Sequence, residues 1–208
     1  CMQPAYYENF DEIIKKIWLM LDDAVTNRSS QFRIPVFICG TQNDFDGRIV
    51  VLRKSDQKNH LIQFHSDIRS DKIEKLKSNN SASLVFYDKE EKIQVRAKVE
   101  CIVNHKNEIT KQSWLKTAHI SRKCYLVDNG PGTESDEPTS GLKPEKDNFD
   151  YTMEESEKGY ENFTVIQCKI KSFEWLYLAA KGHRRAKFEF ANNLGSETTF
   201  IRKTWLVP

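Results

Sequence analysis

Between Ile93 and Cys101 the chain alternates without a lapse: Ile93, Val95, Ala97, Val99 and Cys101 are apolar, and Gln94, Arg96, Lys98 and Glu100 between them are polar. Successive side chains point to opposite faces only in a strand, so this segment predicts a sheet with one buried face and one strongly hydrophilic face. Shorter β-type runs surround it, at roughly 34–40, 48–53, 60–65, 83–87, 163–170, 173–178, 187–190 and 199–206. So many short strands in 208 residues predict a mainly β protein, a sandwich or barrel, in one domain spanning 1–208. Three stretches depart from the period of two. Over about 7–26, Ile13, Ile14, Ile17, Trp18, Leu21 and Val25 fall at helical spacing. Two shorter helical patterns follow: 70–78, with Ile73 and Leu76 inward, and about 107–118, with Ile109, Trp114 and Leu115 inward. A hairpin is expected at Asn43-Asp44-Phe45-Asp46-Gly47, with Asp46-Gly47 supplying positive φ.

Charge separates the chain into two parts. Ten acidic residues lie between Glu134 and Glu161 against Lys143, Lys146 and Lys158. Removing them from the totals of 30 acidic and 32 basic residues leaves 20 acidic against 29 basic elsewhere. The acidic stretch is poor in aliphatics and carries Pro138, Gly141, Pro144 and Gly159, which predicts a long loop over about 131–161. The basic remainder would attract an anionic partner. Its densest cluster, Lys181 to Lys187, is too short and isolated for a nucleic-acid surface. The run from Ile13 to Val25 is broken by Lys15, Lys16, Asp22 and Asp23, so no membrane-spanning helix is expected. The opening residues lack the pattern of a secretory signal, and the expected location is cytoplasmic. Cysteines at 1, 39, 101, 124 and 168 include no C-x-x-C pair and are expected as reduced thiols, with no metal site.

The chemistry is carried by an ordered series: Gly47-Arg48-Ile49-Val50-Val51-Leu52-Arg53, then His65-Ser66, Ser70-Asp71-Lys72, Ile93-Gln94-Val95, Phe173-Glu174-Trp175-Leu176, His183-Arg184-Arg185-Ala186-Lys187-Phe188 and Leu206-Val207-Pro208. In this order and spacing the chain resembles the pyridoxamine 5'-phosphate oxidase-like FMN-binding split-barrel family, over about 33–208. The resemblance implies a split β-barrel with peripheral helices, FMN as cofactor, a homodimer with FMN at its interface, and flavin-dependent oxidoreductase activity on a small anionic or amine substrate.

The residues present agree with that implication. A dianionic phosphate favours charge-assisted hydrogen bonds together with a hydroxyl and a helix start, and Arg48, Ser66, Ser70 and Lys72 supply them. Gln94 matches the family's ring-binding Gln, and the backbone of Val50, Val51 and Leu52 would serve the other edge of the ring. The resemblance further implies cofactor roles for Ile49, Arg53, His65, Trp175 and Lys187, with Leu176 or Tyr177 replacing Trp175 in a shifted register. It implies substrate contacts from Arg53, His183, Arg184 and Arg185. No Ser, Cys or carboxylate nucleophile is apparent, and flavin chemistry needs none.

The chain also departs from the family's pattern. Ser70-Asp71-Lys72 has an acid where the family has a cation. The helix at 107–118 presents Ser113 and Thr117 at the approximate places of the Tyr and Arg that hold a vitamin B6 phosphate. Together with Trp114, Arg122 and Pro131-Gly132, these changes make the chain look more like the uncharacterised FMN-binding relatives than the oxidase itself. A non-catalytic FMN- or tetrapyrrole-binding module and a basic nucleic-acid-binding barrel stand as alternative readings.

Overall fold

The computed structural model describes residues 4–143, 151–191 and 200–208. Cys1, Pro144, Lys146 and Thr199 lie outside them. Among the described residues nine strands form one antiparallel sheet: β1 (Val36–Thr41), β2 (Asp44–Ile49), β3 (Leu52–Asp56), β4 (Leu61–Asp67), β5 (Ser81–Asp88), β6 (Ile93–His105), β7 (Phe163–Tyr177), β8 (Arg184–Phe190) and β9 (Phe200–Leu206). The order is β2-β1-β5-β6-β7-β4-β3, with β8 and β9 continuing from β7. β1 and β4 stand far apart in that order, yet the rings of Phe37 and Phe64 meet with centroids 4.8 Å apart. The sheet therefore curls round a single core and makes a barrel. It is split at β7, whose first half pairs with β4 through Lys169 and whose second half pairs with β8 from Ser172. Lys171 is the extra residue of a bulge against β6, and the local twist of such a bulge lets β7 change partners.

The helix α1 (Phe10–Thr26) starts at Asn9, whose side chain accepts the Glu12 N–H at 3.0 Å, with Asp11 and Glu12 in the first turn. It buries Ile13, Ile14, Ile17, Trp18, Leu21 and Ala24 against the barrel. Each large apolar side chain in that face contributes about 1.5–3 kcal/mol. The helix α2 (Asp71–Ser78) turns Ile73 and Leu76 inward. The helix α3 (Glu108–Lys116) lies over the outer side of β7, where Trp114, Tyr125, Phe163 and Val165 form a smaller cluster.

Several sequence expectations need correction. The run 48–53 is two strands: Val50 and Leu52 both turn into the core, Ile49 turns out, and the Val50 N–H bonds Pro35 O. The hairpin turn is Gln42-Asn43, because Thr41 pairs with Asp44, so Asp46-Gly47 lies inside β2. The positive φ belongs to Gly40, at 135°, where a Cβ would stand 2.1 Å from Asp44 O. The runs 163–170 and 173–178 are one bulged strand. Leu115 points to solvent, 67% exposed. Within the expected acidic loop, Met153–Ser156 forms a short helix (α4), followed by a 3-10 segment at Glu157–Asn162. This segment is held by Arg122, which is buried, stacks 4.2 Å from the Trp114 ring and donates to Glu157 at 2.7 Å.

Candidate cofactor and ligand sites

Two chemically distinct places lie on the two faces of β4. Ile62, Phe64 and Ser66 face the barrel, and Gln63, His65 and Asp67 face α3. On the barrel side, Ser66 ends the buried row just before α2. Ser70 is the N-cap of α2, yet its hydroxyl makes no capping bond. Lys72, in the first turn of α2, is only 9% exposed and donates from Nζ to Ser66 Oγ at 2.7 Å. Burial, reinforced by Arg48, lowers its pKa to about 8. Arg48 reaches the same region from β2, with its guanidinium 3.4 Å from Asp46 and 3.9 Å from Asp71, both well exposed. Its Nε is buried with no partner among the described residues.

This corner thus holds two cations, two serine hydroxyls and a helix N-terminus; the exposed Asp46 and Asp71 flank Arg48, while Lys72 has no carboxylate partner among the described residues. A buried N–H without an acceptor costs about 1–3 kcal/mol, and an oxyanion seated here would relieve that cost and the destabilised ammonium together. The residues fit a phosphate. Asp71, standing where the family carries a cation, and Asp46, 3.4 Å from Arg48, oppose it.

The other expected residues are distributed by the sheet register. Phe37, Arg48, Leu84 and Ala97 share the core face, as do Val95, Trp175 and Ala186. Gln94, Leu176 and Arg185 share the outer face, next to the row Arg96, Glu174 and Lys187. Trp175 lies on the opposite face from Gln94 of the same copy: its indole is fully buried, packed against Tyr6 and Tyr177, with Nε1 unpartnered among the described residues. Leu176, the shifted-register choice, occupies that level of the outer face.

Arg184 and Arg185 line one surface cavity with Glu8 and Trp205, and His183 is not part of it. His183 Nδ1 accepts the Ala179 N–H at 3.0 Å. Arg184 stacks on Tyr7 at 4.6 Å and pairs with Glu8 at 3.0 Å. Arg185 and Arg96 both bind Glu174, and Lys187 lies 3.6 Å from Glu189.

On the α3 side of β4 opens a cavity of about 640 Å³ whose lining includes Arg53, Gln63, His65, Ser113, Thr117 and Gln167. Arg53 reaches it because β3 bulges between Leu52 and Lys54, leaving Arg53 without a register partner on β4. His65 packs edge-on to Phe163, and burial, then Arg53, lowers its pKa to about 3. Gln63 and Gln167, paired across β4 and β7, were not singled out from the sequence. The strict alternation of Ile62, Phe64 and Ser66 with Gln63, His65 and Asp67 is the signal that would have shown Gln63 on this face.

A curled antiparallel sheet with a phosphate-fitting corner defines the class of FMN-binding split barrels. Residues 18–105 match the family described as pyridoxamine 5'-phosphate oxidase, FMN-binding domain. It contains Arg48, Arg53, Ser66, Ser70, Lys72 and Gln94 and ends before Trp175. Among solved structures, the chain is similar to a pyridoxamine 5'-phosphate oxidase-related FMN-binding protein of Nostoc punctiforme, at 14% identity and TM-score 0.68 over 100% of both chains. It is also similar to PhzG of Burkholderia lata, solved with tetrahydrophenazine-1-carboxylic acid, at 15% identity and TM-score 0.67 over 100% of this chain and 98% of that one. A Clostridium acetobutylicum protein related to general stress protein 26 matches at 10% identity and TM-score 0.51 over 82% and 94%. At these identities the likenesses establish the fold. No curated protein matches the sequence. Among the described residues no helix is long and apolar enough to cross a membrane.

Proposed function

We propose that this chain is a flavin-dependent oxidoreductase that holds FMN by its phosphate in the corner formed by Arg48, Ser66, Ser70 and Lys72, and that it works as a homodimer in the cytoplasm on a small anionic or amine substrate. The observation that carries the reading is Lys72 at the start of α2, buried on a hydroxyl with no carboxylate partner among the described residues, beside the buried, unpartnered Nε of Arg48 from β2. FMN, once bound, supplies hydride or electron transfer, so the chain's residues bind, orient and exclude water. Lys72 and Arg48 neutralise the phosphate, Ser66 and Ser70 offer hydroxyls, and Gln94 has the amide needed at the ring edge.

The register supports the dimer. Arg48 belongs to the core face and Gln94 to the outer face, so one FMN engaging both draws them from two copies. The outer face of β2, β1 and β5 carries Ile49, 58% exposed, beside Val36, Ile38, Val85 and Tyr87, an apolar surface suited to a second copy. The described cysteines are all free, which supports a reducing compartment.

The visible spectrum of the purified chain, with and without added FMN, tests the cofactor site. Bound FMN is expected, and a colourless chain that ignores added FMN overturns the reading. Anaerobic bleaching of the bound flavin by candidate amines separates an enzyme from a non-catalytic module. Light scattering should show a dimer that Ile49→Lys dissociates; a monomer with FMN fully bound would remove the dimer from the reading.

A further inference from the structure

Two of the cysteines meet in the wall of the barrel. Cys101 on β6 and Cys168 on β7 are register partners, 5% and 0% exposed, with their Sγ atoms 4.0 Å apart. The backbone sets how closely the two strands approach there. The Cys101 N–H turns away to Asn80 O at 2.8 Å, and on β7 the Ile170 N–H, two residues from Cys168 and on the same side, turns to His60 O at 2.9 Å. The hydrogen bonds of this row therefore point outward, and the two cysteines form a non-hydrogen-bonded pair, where Cα atoms stand about 4.5 Å apart and side chains are nearest. A disulfide spans about 4.4–6.8 Å between Cα atoms, so the strands are already placed for one and only the thiols must turn.

The surroundings select the product. Ile62 completes the row on β4, and Val99, Ile166 and Ile170 flank it, all buried and apolar. Burial, reinforced by Cys101, pushes the Cys168 thiol up. A lasting thiolate, or two thiolates on a soft metal ion, would bring charge into this wall, whereas a disulfide carries none. The oxidant that reaches such a row is small and uncharged.

We propose that Cys101 and Cys168 are a redox pair, reduced at rest and closed to a disulfide by hydrogen peroxide, and that the bond locks β6 to β7 just before the Lys171 bulge where β7 changes partners. One sulfur gives up its proton and attacks the O–O bond, which breaks to leave a sulfenic acid and water. The second sulfur gives up its proton and displaces that oxygen as a second water, so two thiols are oxidised and one peroxide is reduced. Since the partner is already in contact, this closure outruns further oxidation. The pair needs no flavin, so it stands apart from the cofactor reading.

The test treats the FMN-loaded and the flavin-free protein with equimolar hydrogen peroxide, then maps the thiols by alkylation under denaturing conditions and mass spectrometry. The expected result in both forms is a peptide pair linked through Cys101 and Cys168 and separated by dithiothreitol. The bond closes the long loop 101–168, and the thermal midpoint should rise by about 5–15 °C over the reduced protein. Cys39, close enough to Cys101 for their charges to interact, is the competing partner. The combined variant Cys1→Ala, Cys39→Ala and Cys124→Ala should keep both the link and the shift, and Cys168→Ala should lose both. Cys101 and Cys168 still alkylated after peroxide, either one recovered as a sulfinic acid or linked to Cys39, or a link that leaves the midpoint unchanged would each overturn the proposal.

Discussion

The chain has two basic regions of similar composition, the α2 corner with Arg48 and Lys72 and the segment His183 to Lys187, and they differ in how their charge is met. In the segment each cation has a carboxylate: Glu8 for Arg184, Glu174, shared with Arg96, for Arg185, and Glu189 for Lys187. In the corner, Lys72 is buried on a hydroxyl with no carboxylate partner among the described residues, and Arg48, though paired with the exposed Asp46 at 3.4 Å, keeps a buried Nε without an acceptor among them. A count of positive residues favours the segment, whereas their compensation favours the corner. An anion gains most where the protein has left charge unanswered.

The largest effect expected from this contrast is on vitamin B6 chemistry. The corner provides a place for one phosphate, the cofactor's; the α3 cavity has cations in its lining, Arg53 and Lys116 among them, but Ser113 and Thr117 stand where the family's Tyr and Arg would hold a substrate phosphate. Two missing charged hydrogen bonds of about 1.5–3 kcal/mol each lower turnover efficiency by roughly two to four decades. A steady-state assay with pyridoxamine and pyridoxine 5'-phosphates on FMN-loaded protein checks this, and turnover equal to a dedicated oxidase would refute it.

Next in size, Arg48→Ala and Lys72→Ala should each weaken FMN binding roughly 10- to 150-fold. Arg185→Ala should change it by less than about threefold, as for an exposed ion pair, since Glu174 retains Arg96. Fluorescence-quenching titrations of the three variants read this directly. Equal losses from all three would erase the distinction between the two regions.

A smaller effect appears with pH. Lys72 falls from the ordinary 10.5 to about 8 through burial and the nearby Arg48. The unfolded chain holds that proton more tightly, so the flavin-free protein should gain stability as pH rises from about 8 toward 10.5. A phosphate in the corner favours the ammonium, so FMN binding near pH 8–9 should take up a proton. Calorimetry in buffers of different ionisation heat measures the uptake, and Lys72→Met should abolish it. Binding heats independent of the buffer in the unaltered protein would count against Lys72 as a phosphate ligand.

The same contrast explains how much of the protein was legible in its sequence. β6 was plain because one face is buried along most of its length, and α1 because its stripe of isoleucine, tryptophan and leucine has one period. The α2 corner was legible as a set of residue types in order. Its charge balance was not, because that depends on which carboxylates the fold brings near. The run Ile49-Val50-Val51-Leu52 hid its break, since four apolar residues carry no alternation. Trp175 was matched by residue type alone: Phe173, Trp175 and Tyr177 alternate with Glu174 and Leu176, and that alternation already sets the indole on the face away from Gln94 of the same copy. Arg53 enters the α3 cavity only through a bulge in β3, which leaves no local mark in the sequence.

The most direct test of the central claim is a paired titration with FMN and riboflavin, which share the ring and differ in the phosphate. If the Arg48, Ser66, Ser70 and Lys72 corner holds the cofactor, several charged hydrogen bonds are lost with the phosphate, and FMN should bind at least about 100-fold more tightly than riboflavin. Lys72→Met should shrink that ratio by weakening FMN and leaving riboflavin unchanged. Equal affinities for FMN and riboflavin in the unaltered protein would contradict the account.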